Sequence, residues 1–453
     1  MYRRIPIIIA VEGCCHGELN AIYEHIANLE TQHQYKIDLL LMCGDFQAIR
    51  NHQDLQCMSV PDKFRQLGDF SDYYTGVKVA PMLTLVIGGN HEASNYMWEL
   101  FHGGWLAPNI FFLGNAGCVQ VNGIRIAGMS GIFNRHHYHQ GFHERMPYSY
   151  GTMRSIYHIR EYNFRRLALL SKPHIFLSHD WPASIEHHGN LGDLLRRKPF
   201  FKDDIRNGAL GSPPLFELLK TLKPDWWFSA HLHVKFEATC FHPGVTPPDL
   251  PANTSEKNPD EIAIGGDFEE SMTSADFKAP AANLNPDEIT LDDEEEDVAP
   301  APVAPPPRER TNFLALDKCI PGSRRQFLEV MDIDAPESSS PPKLKFDPEW
   351  LAAVRAFDPY MTLTPSQHGS YPEHQAATEA VSRELEWVKQ NLPEGGHQDI
   401  NDVQAFVMTA TGPTPDTQKA KGEQPAYFPN PQTAALCSML QIDNKVDRLN
   451  MEP

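Results

Sequence analysis

The chain has 453 residues, 41% of them hydrophobic, and a formal net charge of −20, a length that accommodates two or three domains. No stretch approaches the 18 consecutive apolar residues of a spanning helix, and the run 5–11 is too short for an export signal and ends on Glu12. The average charge argues against a nucleic-acid partner, but residues 1–242 carry 23 Lys+Arg against 22 Asp+Glu, whereas residues 243–311 carry 4 against 17.

In chain order, strands are predicted at 5–11, 39–43, 83–87, 110–113, 118–121, 124–129, 175–178, 226–229 and 234–239, each a short apolar run. Helical patterns fall at 19–29, 93–101, 159–170 and 214–222. This alternation predicts an α/β domain over 1–242. Residues 243–311 hold 12 prolines and the run Asp292-Asp293-Glu294-Glu295-Glu296-Asp297, and read as a disordered acidic linker. Apolar runs at 313–316 and 326–333 predict strands that complete the same α/β domain over 312–335. Helical material follows at 348–357 and 378–390, within a C-terminal region spanning 343–390, and the tail 391–453 reads as largely disordered. The eight cysteines form no regular framework, so free thiols in a reducing compartment are expected.

Several strand ends finish in metal-ligand residue types: Glu12-Gly13-Cys14-Cys15-His16, Gly44-Asp45-Phe46, Gly88-Gly89-Asn90-His91-Glu92, Ser178-His179-Asp180-Trp181 and Ala230-His231-Leu232-His233. A thiolate, imidazoles, a carboxylate and an amide oxygen suit Zn²⁺, Fe²⁺ or Mn²⁺. Singly, each has a plain structural reading: Gly-Asp is a common turn, Asn an N-cap, and Glu92 a first-turn carboxylate. Five of them in this order, each directly after an apolar run, form a joint signal.

The series resembles the calcineurin-like metallophosphoesterases. With Cys14-Cys15-His16 where most of that superfamily has Asp-x-His, with Ser178-His179-Asp180-Trp181-Pro182, and with Asn312-Phe313-Leu314-Ala315-Leu316-Asp317-Lys318-Cys319 and Phe346-Asp347-Pro348-Glu349-Trp350-Leu351, it is similar to the RNA lariat debranching enzymes. That resemblance covers roughly 5–242 and 311–360. It implies a metallophosphoesterase β-sandwich flanked by helices in four layers, with a smaller, mainly helical C-terminal region. It implies up to two divalent ions bridged by Asp45, one held by Cys14, His16 and His233 and the other by Asn90, His179 and His231. His91 is left as the proton donor to a 2′-oxygen leaving under attack by a metal-activated hydroxide. The substrate implied is branched intron lariat RNA, and the compartment the nucleus. A monomer without membrane association is expected, with a splicing-associated protein as a candidate partner of the C-terminal region.

Residues 125–166 contain seven arginines against Glu144 and Glu161, and 132–155 lacks apolar periodicity. Beside a phosphoesterase centre this segment reads as the recognition loop, because arginine grips phosphate and aromatic rings stack on bases. The candidate substrate-binding residues are Arg135, Tyr138, His139, Tyr148, Tyr150, Arg154, Tyr157 and Arg160. A second basic patch, Arg196-Arg197-Lys198 with Lys202 and Arg206, fits an RNA surface or nuclear import equally. Two enzyme alternatives share the metal centre. A protein serine/threonine phosphatase is disfavoured because Phe46-Gln47-Ala48-Ile49-Arg50 lacks the Arg-Gly pair of those enzymes. A general phosphodiesterase stays open, as does a metal-free scaffold on the same fold.

Overall fold

The computed structural model describes residues 5–242, 309–337, 339–367 and 369–451. Its strands are β1 (Ile5–Glu12), β2 (Leu39–Met42), β3 (Leu83–Val86), β4 (Gly104–Ala107), β5 (Ile110–Phe112), β6 (Ala116–Val121), β7 (Ile124–Met129), β8 (Ile175–Ser178), β9 (Trp226–Ser229), β10 (Phe236–Phe241), β11 (Arg310–Ala315), β12 (Leu328–Ala335) and β13 (Leu344–Phe346). They form two mixed sheets, ordered β12-β1-β2-β3-β5-β4 and β10-β11-β9-β8-β7-β6-β13.

The parallel strands read as unbroken apolar runs because both of their faces are covered. Along β1, Ile7, Ile9 and Val11 join the core between the sheets, while Ala10 turns to the opposite face and packs with Leu19, Ile22 and Ile26 of the helix Leu19–His33. From the second sheet Ile126, Leu177 and Phe228 enter the same inter-sheet core, while Phe176, Trp227 and Phe313 pack on its opposite face. The result is the α/β sandwich expected from the resemblance, with helices on its outer faces.

The segment after residue 308 returns to both sheets. β11 pairs in parallel with β9, from Asn312 opposite Trp226 to Ala315 opposite Ser229. β12 runs antiparallel to all of β1, from Ile5 opposite Ala335 to Glu12 opposite Leu328. The expected linker at 243–311 lies outside the described residues up to residue 308, and β11 starts at Arg310 rather than at 312. β4 and β13, edge strands of four and three residues, carry no periodic signal and escaped the sequence reading.

The tail requires a correction. Within 391–453, expected to be largely disordered, helices run over Pro431–Leu440 and Lys445–Met451, with Leu436, Leu440, Val446 and Leu449 buried. Asn430 caps the first of them, its side chain accepting from the Gln432 N–H, and Pro431 occupies the first turn. Gln432 then pairs with the β4 backbone, accepting from the Trp105 N–H at 2.7 Å and donating to its carbonyl at 2.9 Å. The apolar residues here are too few to form a core alone. They bury only because an existing sheet edge offers the other half. The helix Pro348–Phe357 packs likewise, burying Trp350, Leu351 and Val354. Among the described residues no helix is long and apolar enough to cross a membrane.

Candidate metal centre

The seven expected ligands lie in the loops that follow β1, β2, β3, β8 and β9. In a parallel sheet these loops share one edge, where α/β folds collect their functional groups. Four of the seven adopt left-handed backbone angles: His16 (φ 48°), Asp45 (φ 46°), His231 (φ 62°) and His233 (φ 51°). Such conformations cost non-glycine residues roughly 1–3 kcal/mol each and gather at functional sites. Here they turn each chain sharply out of its strand, so that side chains rather than backbone meet at the centre. The glycines between them allow close approach. A Cβ at Gly44 would overlap the His179 ring, and one at Gly89 would overlap the Asp45 carboxylate.

One ligand atom from each of Cys14, His16, Asp45 and His233 lies within 4.8 Å of the others. The His16 and His233 Nε2 atoms face each other at 3.2 Å. Asp45 stands between two groups: Oδ2 is 3.8 Å from His16 Nε2, while Oδ1 is 3.4 Å from His179 Nε2 and accepts from the His91 N–H at 2.8 Å. On the far side Asn90 Oδ1 lies 3.2 Å from His179 Nε2, and the His179 and His231 rings are 5.0 Å apart. The Cys43 carbonyl accepts from His179 Nδ1 at 2.7 Å, leaving Nε2 directed inward. Such a partner on the outer ring nitrogen fixes the tautomer of a ligating imidazole.

The electrostatics fit cation binding. Burial holds the His16 imidazole down to about 4 and His233 down to about 3, so both are neutral lone-pair donors at pH 7. Burial alone would raise the Asp45 carboxyl, but His179, His91 and His16 together hold it well below the usual range. Burial, with Asp45 and Glu12 adding to it, raises the Cys14 thiol well above its ordinary value, and Sγ accepts from the His231 N–H at 3.2 Å. A bound cation reverses that balance, since a coordinating thiol is deprotonated outright. Inward-facing imidazole nitrogens, a carboxylate between them and a thiol make a donor set that a soft or borderline divalent ion matches.

Glu92 is neither ligand nor mere cap. Buried, it accepts from the N–H groups of Phe46 at 2.8 Å, Gln47 at 2.7 Å and Gly89 at 2.9 Å, tying the Asp45 loop to the Asn90 loop. Burial nonetheless lifts its carboxyl to about 7. His91 is half-buried beside the centre, with Nε2 3.1 Å from Asn90 Nδ2.

The recognition-loop residues divide. Arg135, His139, Tyr150 and Arg154 are exposed, and the Arg154 guanidinium lies 5.1 Å over the Tyr150 ring. Tyr138 and Tyr157 are half-buried, Tyr138 against Phe133 and Phe164, and Tyr157 against His158. Two candidates are not available to a ligand. Arg160 is fully buried, paired with the buried Glu144 and donating to the His137 carbonyl at 2.9 Å. Tyr148 is 4% exposed and belongs to an apolar cluster with Trp98, Phe142 and Tyr162. The loop has a small core of its own, and these two residues build it.

A profile of the calcineurin-like phosphoesterases matches residues 7–235, and one of the lariat debranching enzyme C-terminal domain matches residues 308–445. Lariat debranching enzyme A of Xenopus laevis is 42% identical over 437 residues, covering 96% of this chain and 70% of that protein. The lariat debranching enzyme of Drosophila melanogaster is 45% identical, covering 96% and 78%, and that of Homo sapiens 41% identical, covering 96% and 69%. With both profiles matched in order and identity sustained across nearly the whole chain, this protein belongs to the lariat debranching enzymes, a family of calcineurin-like metallophosphoesterases that use divalent metal.

Proposed function

We propose that the protein hydrolyses the 2′,5′-phosphodiester bond at the branch point of excised intron lariat RNA, releasing a linear strand. The observation that carries this reading is the convergence of Cys14, His16, Asp45 and His233 ligand atoms within 4.8 Å. It is a phosphoesterase centre with a thiol at its first position, on a chain that belongs to the debranching family. Cys14, His16 and His233 would hold one cation, and Asn90, His179 and His231 a second, with Asp45 between them. Fe²⁺, Zn²⁺ and Mn²⁺ are the ions these donors favour. Divalent cations supply, when bound, charge neutralisation at the phosphate and acidification of the attacking water.

The remaining work falls to side chains. Asp45 keeps its charge because three imidazoles surround it. Glu92 fixes the spacing of the Asp45 and Asn90 loops through its three accepted hydrogen bonds. His91 is anchored through its own N–H on Asp45 Oδ1 and lies beside the centre, where it would protonate the departing 2′-oxygen. Exposed Arg135, Tyr150 and Arg154 offer phosphate and base contacts from the loop. The nucleus, where introns are excised, is the proposed compartment.

The test is incubation with a branched 2′,5′-linked RNA and a linear 3′,5′ RNA, with metal analysis of the same sample. Selective loss of the branched substrate is expected. Cleavage of the linear strand at a comparable rate would replace this reading with a general phosphodiesterase.

A further inference from the structure

Beyond β11 the chain runs alongside the loop that carries Cys14. The Cys319 N–H donates to the Cys14 carbonyl at 3.0 Å, the Cys14 N–H reaches the Asp317 carbonyl at 3.4 Å, and Cys14 and Lys318 form a parallel bridge. Bridge partners project their side chains to the same side, so Lys318 is brought to the Cys14 flank of the centre. Its charge is felt at His16 and His233, where it adds to the burial that holds both imidazoles down. The adjacent carboxylate does not neutralise it. Asp317 Oδ1 already accepts from Arg325 Nη1 at 2.7 Å and from the Lys318 backbone N–H at 2.7 Å. Among the described residues the Lys318 ammonium has no ion-pair partner.

A second cation lies within electrostatic range of it. Lys198 follows the helix Leu191–Arg197, and its ammonium is lowered first by burial, which Asp317 opposes and the like charges of Arg325 and Lys318 reinforce. Lys198 Nζ lies 5.8 Å from the ring of Phe200, which is 68% exposed and rests edge-on against buried Phe201 at 4.8 Å. Cations in line with an exposed, rigidly backed aromatic ring are the elements with which proteins hold single-stranded nucleic acid.

We propose that Lys318, Lys198 and Phe200 form a second track for single-stranded RNA on the Cys14 flank, phosphates on the two ammonium groups and a base on the Phe200 ring. The 132–155 loop leaves from the other flank, where the Gly131 N–H donates to the Gly88 carbonyl at 2.8 Å and the Phe133 N–H to Asp180 Oδ2 at 3.1 Å. A branch point joins three strands and a linear RNA only two, so two tracks diverging from one centre give the branched substrate an additional hold. The inference deepens the debranching reading and rests on it.

The test compares a branched RNA with long arms and a branched trinucleotide, cleaved by the parent protein and by Lys318→Met, Lys198→Met and Phe200→Ala variants. On the long-armed substrate, Lys318→Met and Lys198→Met should each lower kcat/KM about tenfold through KM. Each should also flatten the salt dependence by about 0.7 in log–log slope. Phe200→Ala should lower kcat/KM by about tenfold with the salt slope unchanged. On the trinucleotide, the Lys198 and Phe200 variants should match the parent, and Lys318→Arg should retain activity on both RNAs. Metal content should be unchanged throughout. Parental kcat/KM in the variants on the long-armed RNA, an equal loss on the trinucleotide for Lys198 and Phe200, or loss of metal in Lys318→Met would each overturn the track. Failure of the parent protein on both branched RNAs would strike the debranching reading instead.

Discussion

At the ends of β1, β2 and β9 the ligand side chains turn toward a common point, whereas in residues 125–166 four of seven arginines are engaged by carboxylates or aromatic rings of the fold itself. Arg125 pairs with Asp347 at 2.7 Å and Glu349 at 2.8 Å, fastening β7 to the C-terminal region. Arg160 pairs with Glu144, and Arg165 with Glu161 at 2.7 Å. Arg166 is fully buried between the Tyr162 and Trp350 rings, 4.3 Å and 4.8 Å from their centroids. Arg135, Arg145 and Arg154 are the ones exposed. A residue type therefore announces chemistry only where backbone geometry commits it. A strand-end loop allows its side chain one direction, while an arginine within a long loop can serve carboxylate, ring or phosphate.

The contrast can be broken from the metal side first. Asn90→Ala or His231→Ala is expected to abolish turnover together with metal, read by elemental analysis of the purified variant. Normal metal content and activity would remove that position from the centre. His91→Ala should keep its metal and lose 10²–10⁴-fold in rate. Single-turnover cleavage of branched RNA measures this, and an undiminished rate would take the proton-donor role away from His91.

The arginine side is sharpened by setting two variants against each other. Arg160→Ala strands the buried Glu144 and should cost about 3–5 kcal/mol of stability in urea unfolding, while Arg154→Ala should leave the unfolding midpoint in place. Arg154→Ala should instead weaken RNA binding several-fold and flatten its salt dependence, as loss of one phosphate contact does. If both variants behaved alike in unfolding, the division between structural and ligand-facing arginines would fall.

The smallest effect expected near neutrality concerns pH. Burial holds His102 and His158, neither of them in the ligand set, down to about 3, against an ordinary value of 6.5. In the unfolded chain they take up protons below about 6.5, and in the folded chain they do not until far lower. Stability therefore falls as pH drops from 6.5 toward 3, and is flat above that window as far as these two groups are concerned. Thermal midpoints between pH 7 and 4 test the sign, and His102→Asn should shallow the decline.

How much was legible follows from the same physics. The strands that carry the centre are buried on both faces, so their apolar runs stand out, and their ligand residues follow at once. The inward turn of Arg125 was not legible, because its partners Asp347 and Glu349 lie more than 200 residues away along the chain. Glu92 could be read as a cap or as a support, since its three N–H donors come from two different loops. The helices Pro431–Leu440 and Lys445–Met451 were missed for want of a partner visible in sequence: the buried Trp98 indole, which donates to the Val446 carbonyl at 3.1 Å, comes from the far end of the chain. Lys318 sits within the family motif Asn312–Cys319, but only the bridge to Cys14 gives it a place beside the centre.

The pairing of β12 with β1 has a consequence for biosynthesis. β12 is translated more than 300 residues after β1, so β1 leaves the ribosome with one bare edge. At about 5–20 residues per second, that edge waits tens of seconds for its partner. Ile7, Ile8 and Ile9 lie along it, an apolar segment of the kind that recruits foreign strands while it is unpaired. A nascent chain arrested before residue 328 should thus depend on chaperone cover, and the same chain released after 335 should shed it.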